Sequence, residues 1–228
     1  QTSAGVKNTY GNDLTASGTV RLNTGGYFDN FSPTYTNTST LEYNTGGTYG
    51  TYNEWIEGST VGYGVPQNVT ISNATTVNLA GFRTVVGNLS LSSGDINTNG
   101  KTLILAGATS GSGAILTGTT GALSYDGTVA QTISNLKDNT VNQVAINNLA
   151  GVSLSTPTTA GSLLLAGGNL FLGAHDLTLL NPSGLQQIHP VPEMSYIVTD
   201  GIGKIIKMVI PGPVNLIPVG ASATSYDP

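Results

Sequence analysis

The densest meeting of carboxylate and aromatic groups in this 228-residue chain is Glu54-Trp55-Ile56-Glu57, with Tyr49 and Tyr52 just before it. Rings that stack on pyranose faces beside carboxylates that take hydroxyl protons are what a sugar site uses. The same groups also close the end of a core, rings inward and polar tips at the surface. Tyr49, Tyr52, Glu54, Trp55 and Glu57 are therefore the candidate ligand-binding residues, with packing as the alternative reading. Hydrolysis of a polysaccharide needs two carboxylates about 5–10 Å apart. No Asp-Asp or Asp-x-Asp occurs, and Asp95, Asp126, Asp138 and Asp176 sit among Gly and Asn, where Asp caps turns. No catalytic residue is assigned, and a carbohydrate-cleaving protein stays the alternative only because stacking can bring distant carboxylates together.

Other chemistry finds less support. His175 and His189 are far apart and neither has a second imidazole nearby, so they define no metal site. Calcium between Asp and Asn turns is the single cofactor alternative, without an ordered Asp-x-Asp-x-Asp run behind it. Gly94-Asp-Ile-Asn-Thr-Asn-Gly100-Lys101-Thr102 imitates a phosphate-binding loop, but five residues separate its glycines where that loop has four, and strand-like segments flank it. The seven basic residues (Lys7, Arg21, Arg83, Lys101, Lys137, Lys204 and Lys207) are scattered singly against twelve acidic ones, which argues against nucleic acid. The absence of cysteine excludes disulfides and thiol chemistry together. No run reaches the ~18 apolar residues of a membrane span. A chain opening on Gln1 suggests a mature N-terminus left after signal-peptide removal.

The elements that would position these residues are legible from composition. Gly contributes 31 residues and Thr 32, whereas charged residues are only 8% of the chain. Helical bundles and coiled coils need the opposite balance. Apolar residues come in alternating pairs: Val69/Ile71, Val77/Leu79, Leu89/Leu91 and Leu103/Leu105. Period two predicts short strands with one face buried. Ser-Ser-Gly and Asn-Thr-Asn-Gly between them supply the residues that turn a chain tightly. The pattern recurs. Leu89, Leu91, Gly94, Ile96, Leu103 and Leu105 match Leu163, Leu165, Gly168, Leu170, Leu177 and Leu179 at an offset of 74, and Val69/Ile71 matches Val144/Ile146 at 75. Strands this short cannot bury their apolar faces alone, but coils stacked on one another can. The expected fold is all-β, a parallel right-handed β-helix or β-solenoid.

Three regions are expected: Tyr-rich opening rungs or a cap over 1–60, a solenoid with two repeats of about 75 residues over 61–185, and a small partial β-module over 186–228. The module reads as a hairpin through Asp200-Gly201-Ile202-Gly203 after a linker near 181–192. Thr36-Asn-Thr38 and Thr117-Gly-Thr119 raise ice binding as a further alternative, although Thr does not recur at one rung position in both copies.

Thr40-Leu-Glu-Tyr-Asn-Thr-Gly-Gly-Thr-Tyr49, Asn53-Glu-Trp55, Gly64-Val-Pro-Gln-Asn-Val-Thr-Ile71, Ala130-Gln-Thr-Ile133 and the Gly-Asn-Leu-x-Leu-x-x-Gly units resemble repeats of large surface proteins exported by type IX secretion. Tyr196 to Lys204 and Ile217 to Pro228 are similar to the module that follows their solenoid. The resemblance implies an N-terminal fragment of an extracellular, cell-surface protein. Its expected work is non-enzymatic: structural or adhesive, with the chain as a building block of a surface fibre. Expected partners are other copies of itself, cell-surface components and glycans.

Overall fold

The computed structural model describes residues 14–181, 185–187, 195–207, 217–222 and 225–226. These residues form a parallel β-solenoid of about nine turns, without an α-helix among them. A regular turn lays one short strand on each of three faces. On the first face Thr19–Asn23, Thr40–Asn44, Asn68–Ile71, Leu89–Leu91 and Thr109–Gly111 pair in parallel. The second carries Thr48–Gly50, Thr76–Asn78, Asp95–Asn97 and Ile115–Leu116. The third begins at Arg83–Val85 and continues through Thr102–Leu105, Ala122–Tyr125, Thr140–Asn147, Thr158–Gly167 and Leu185–Gln187. Val69 lies against Leu89 and Leu89 against Thr109, so one regular turn takes twenty residues.

Alternation decides what goes inside. In Thr102–Leu105 the pattern is half-buried, buried, half-buried, buried, and the buried pair is Leu103 and Leu105. Parallel register stacks like on like, giving interior columns such as Leu22–Tyr43–Ile71–Leu91 and Leu103–Leu123–Val144–Leu163. Each buried aliphatic side chain contributes on the order of 1.5–3 kcal/mol, gained only because the turns above and below cover it. The outer row of the first face is polar: Arg21, Glu42, Thr70, Ser90 and Ser110 lie side by side. At the corner entering that face, side-chain amides run a second ladder. Asn68 Nδ2 donates to Ser39 O at 3.2 Å, Asn88 N to Asn68 Oδ1 at 2.9 Å, and Ala108 N to Asn88 Oδ1 at 3.1 Å.

The two copies seen in the sequence do not superpose face on face. Val69 is on the first face and its match Val144 on the third; Val77 is on the second and Val152 on the first. Leu103 on the third matches Leu177, whose strand Leu177–Leu179 follows the first-face strand Leu170–Phe171 in its turn. The offset therefore equals three and two-thirds turns. Every face asks for the same alternation, so one segment suits any of them.

Regularity breaks after Thr109–Gly111. The first face resumes at Gln131–Ile133, continuing through Val152–Leu154, Leu170–Phe171, Ile197–Val198 and Val219–Ser222. Two side-chain amides stitch the gap. Buried Gln131 makes four hydrogen bonds: Nε2 donates to Leu105 O at 2.9 Å and Gly107 O at 2.8 Å, and Oε1 accepts from Gly127 N and Asn148 Nδ2, both at 2.9 Å. Asn135 Nδ2 donates to Gly111 O and Gly113 O. Close turn-to-turn approach also selects glycine. Gly168 has φ +89°, and a Cβ there would overlap the Asn148 carbonyl oxygen of the turn below.

The expected hairpin through Asp200–Gly203 does not form. Ile197–Val198 pairs in parallel with Leu170–Phe171, whereas Ile205–Lys207 pairs in parallel with Leu177–Leu179, so the two runs lie on different faces. Gly201 and Gly203 press against the carbonyls of Gly173 and His175 and carry the chain round another corner. For strands of two or three residues, an existing sheet edge offers more partners than a mutual hairpin does. The antiparallel pair among the described strands comes last, Val219–Ser222 with Ser225–Tyr226. The expected linker lies partly outside the described residues, and His189 lies wholly outside them.

Candidate functional site: a sealed carboxylate among tyrosines

Between Thr48–Gly50 and Asn68–Ile71 the chain leaves the twenty-residue pattern, and residues 51–66 take the place of a third-face strand. This excursion folds back on the opening rungs. Tyr35 N donates to Gly62 O at 2.9 Å, Gly64 N to Pro33 O at 2.7 Å, and Thr34 bridges Tyr63 in antiparallel fashion. It also covers a sheet edge: Trp55 Nε1 donates to Thr84 O at 3.3 Å, and Thr84 is in the first strand of the third face. An uncovered edge is a template for unwanted pairing.

Glu54 is the centre of this cap, with no exposed surface. Tyr43 Oη donates to Glu54 Oε1 at 3.0 Å, Tyr49 Oη to Oε2 at 3.4 Å, and the Tyr52 backbone N–H to Oε1 at 2.8 Å. Tyr35 Oη donates to the Glu54 carbonyl at 2.8 Å. Burial pushes the Glu54 carboxyl above its ordinary value, and the hydrogen bonds from backbone and tyrosines oppose that rise. Burial first, then the Glu54 charge, raises the Tyr35, Tyr43 and Tyr49 hydroxyls. Each phenol thus stays a donor, Tyr43 and Tyr49 to the carboxylate and Tyr35 to the backbone carbonyl. The rings pack together: Tyr43 and Tyr49 centroids are 5.4 Å apart, and Tyr43 and Trp55 6.5 Å.

Arg83 completes the cluster. It shares a register with Leu103 and so opens an aliphatic column with a guanidinium group, 5% exposed. Its Nη1 donates to Phe82 O at 2.8 Å, and its Nε has no hydrogen-bond partner. Burial lowers its affinity for the proton, while Tyr43, Glu54 and Glu57 act the other way.

The five candidate residues therefore separate. Trp55 and Glu54 are wholly interior, so the indole presents no face to a sugar and the carboxylate no oxygen to solvent. Tyr49 is half-buried, whereas Tyr52 (59% exposed) and Glu57 stand at the surface. Burial replaces the stacking reading of Trp55 with packing against Tyr43 and an edge-covering hydrogen bond. Tyr35, Tyr43 and Arg83 were not singled out from sequence. Tyr43 was findable, because it falls in step with Leu41 on the buried side of Thr40–Asn44. Arg83 carried no such signal. A sealed carboxylate that accepts three hydrogen bonds can hold a cap in place, and it cannot meet a substrate.

Three of the four dispersed aspartates accept hydrogen bonds on their carboxylates, two of them from backbone N–H groups. Asp95 Oδ1 accepts from Ala114 N at 2.7 Å, Asp176 Oδ1 from Lys204 N at 2.8 Å, and Asp126 from the Ser124 hydroxyl. Among the described residues, no three His, Cys, Asp or Glu side chains converge as metal ligands. Thr117 of the Thr-Gly-Thr piece is buried, its Oγ1 accepting from Asn142 N. No helix among the described residues is long and apolar enough to cross a membrane. No protein-family model, curated protein or solved structure matches this chain.

Proposed function

We propose that this chain is a non-enzymatic shaft from an extracellular surface protein, working by reach and by contact. One observation carries the reading: about nine turns share a single axial core, and residues 51–66 cap the first edge of its third face with a buried polar clasp. Such a stack converts sequence length into length along one axis, because each turn adds one strand spacing of about 4.8 Å. Its outer rows of Ser, Thr and Asn keep it hydrated with little charge. The sequence resemblance supports export by type IX secretion. Other copies of the chain, cell-surface components and glycans are the proposed contacts.

The test is made on the natural producer. Antibody raised against this chain should label intact cells, and labelling should vanish when the type IX translocon is deleted. Labelling confined to permeabilised cells would overturn the reading.

A further inference from the structure

The four-stranded sheet of the second face ends where the chain departs from strand geometry. Its last strand, Ile115–Leu116, is followed one turn later by a single bridge, Ile115 with Leu136, and then by the short turn Lys137–Asn139. A cleft of about 370 Å³ opens there, lined by Asn97, Leu116, Thr117, Gly118, Lys137, Asp138 and Thr140. Its size falls in the range of small-ligand sites, about 300–1,000 Å³. The turn runs through left-handed backbone: Asp138 and Asn139 both have φ +53° and Asn135 has +59°. Asn and Asp adopt that conformation more readily than other non-glycine residues, so these residue types fit the turn.

The turn carries an ammonium and a carboxylate at adjacent positions, both lining the cleft. Lys137 and Asp138 are both exposed, and neither forms an ion pair among the described residues. Asn97 spends its Oδ1 on Asn99 N, leaving its NH₂ uncommitted among them. Thr140 Oγ1 donates to the Asp138 carbonyl and keeps its capacity to accept. Leu116 provides the apolar floor, and the space beside Gly118 is open. Donors and an acceptor around an apolar floor complement a ring bearing adjacent hydroxyls, each of which both gives and takes a hydrogen bond. The Asp138 carboxylate and the net charge of −5 disfavour an acidic sugar.

We propose that this cleft is a subsite for one neutral hexose ring of a polysaccharide. Asp138 accepts from one of two vicinal hydroxyls, Lys137 and Asn97 donate to the pair, and Leu116 meets the ring's C–H face. The proposal deepens the contact role suggested above and rests on it. Its test is a titration of the isotope-labelled whole chain with neutral hexaoses of glucose, mannose and galactose, followed by NMR, with oligogalacturonate as the acidic arm. The same preparation is assayed for adhesion to surfaces coated with those glycans and to uncoated ones. Shifts should gather at Asn97, Leu116–Gly118 and Lys137–Thr140, and Asp138→Asn should weaken binding at least tenfold. Asparagine tolerates the left-handed backbone, so that variant keeps the turn; Lys137→Ala is the second probe. Shifts elsewhere, a preference for oligogalacturonate, or unchanged affinity in both variants would overturn the subsite. Adhesion with a silent cleft would overturn it and leave the contact role standing; loss of both would remove both.

Discussion

Tyr43 and Glu54 are both fully buried, eleven residues apart, and the phenol donates to the carboxylate at 3.0 Å. One lies on a regular strand and the other on the excursion, so this bond ties cap to core.

Tyr43→Phe removes that donor while the carboxylate stays buried. The expected cost is about 1–3 kcal/mol, read from urea unfolding. Tyr125 is the contrast. Its hydroxyl is also buried but has no hydrogen-bond partner. Tyr125→Phe should therefore be neutral or stabilising by up to about 1 kcal/mol. Equal losses in the two variants would contradict the assignment of the clasp.

The clasp should respond to pH with a definite sign. The folded state raises the Glu54 carboxyl above its usual 4.5, mainly through burial. Folding then favours the protonated form. Its contribution is fully present below the unfolded value and is lost as pH rises through the folded one. Glu54→Gln keeps the shape and cannot ionise, so its melting temperature should gain on wild type as pH climbs from 4 towards neutrality. A constant difference between the two across that range would refute the sign.

Leu103 sits in an interior column with Leu123 above it and Arg83 below. Leu103→Ala should cost about 2–5 kcal/mol. Ser90→Ala on the outer row of the first face should change stability by less than about 0.5 kcal/mol. Thermal unfolding compares the two, and a Ser90 effect as large as that of Leu103 would argue against the assignment of inside and outside.

Gln131→Leu preserves volume but strands Gly107 O and Gly127 N, each held by the Gln131 amide. A loss of about 1–3 kcal/mol for each buried group left unpaired is expected. Hydrogen exchange should show the loosening first around residues 105–133, where the first-face ladder is interrupted. Uniform loosening would mean that the stitch is dispensable.

Period-two alternation, together with Gly and Asn at the corners, was enough to announce a stack of short strands. Leu89/Leu91 and Leu103/Leu105 can be buried only in that way, because alternation is a local property of the backbone. The face each segment occupies was not legible. Val69-Thr-Ile71 and its match Val144-Ala-Ile146 share one alternating pattern yet lie on different faces, since all three faces impose one rule. The hairpin expected at Asp200–Gly203 failed for the same reason: local turn chemistry does not say whether the next strand folds back or climbs on.

The cap shows the same division. Sequence placed carboxylates and rings together at 49–57, which is a matter of chain proximity. Only tertiary structure turned Trp55 and Glu54 inward, brought Tyr35, Tyr43 and Arg83 to them across turns, and left Tyr52 and Glu57 outside. Burial of a polar group depends on partners distant along the chain, and hydrogen bonds offset its desolvation only once those partners have met.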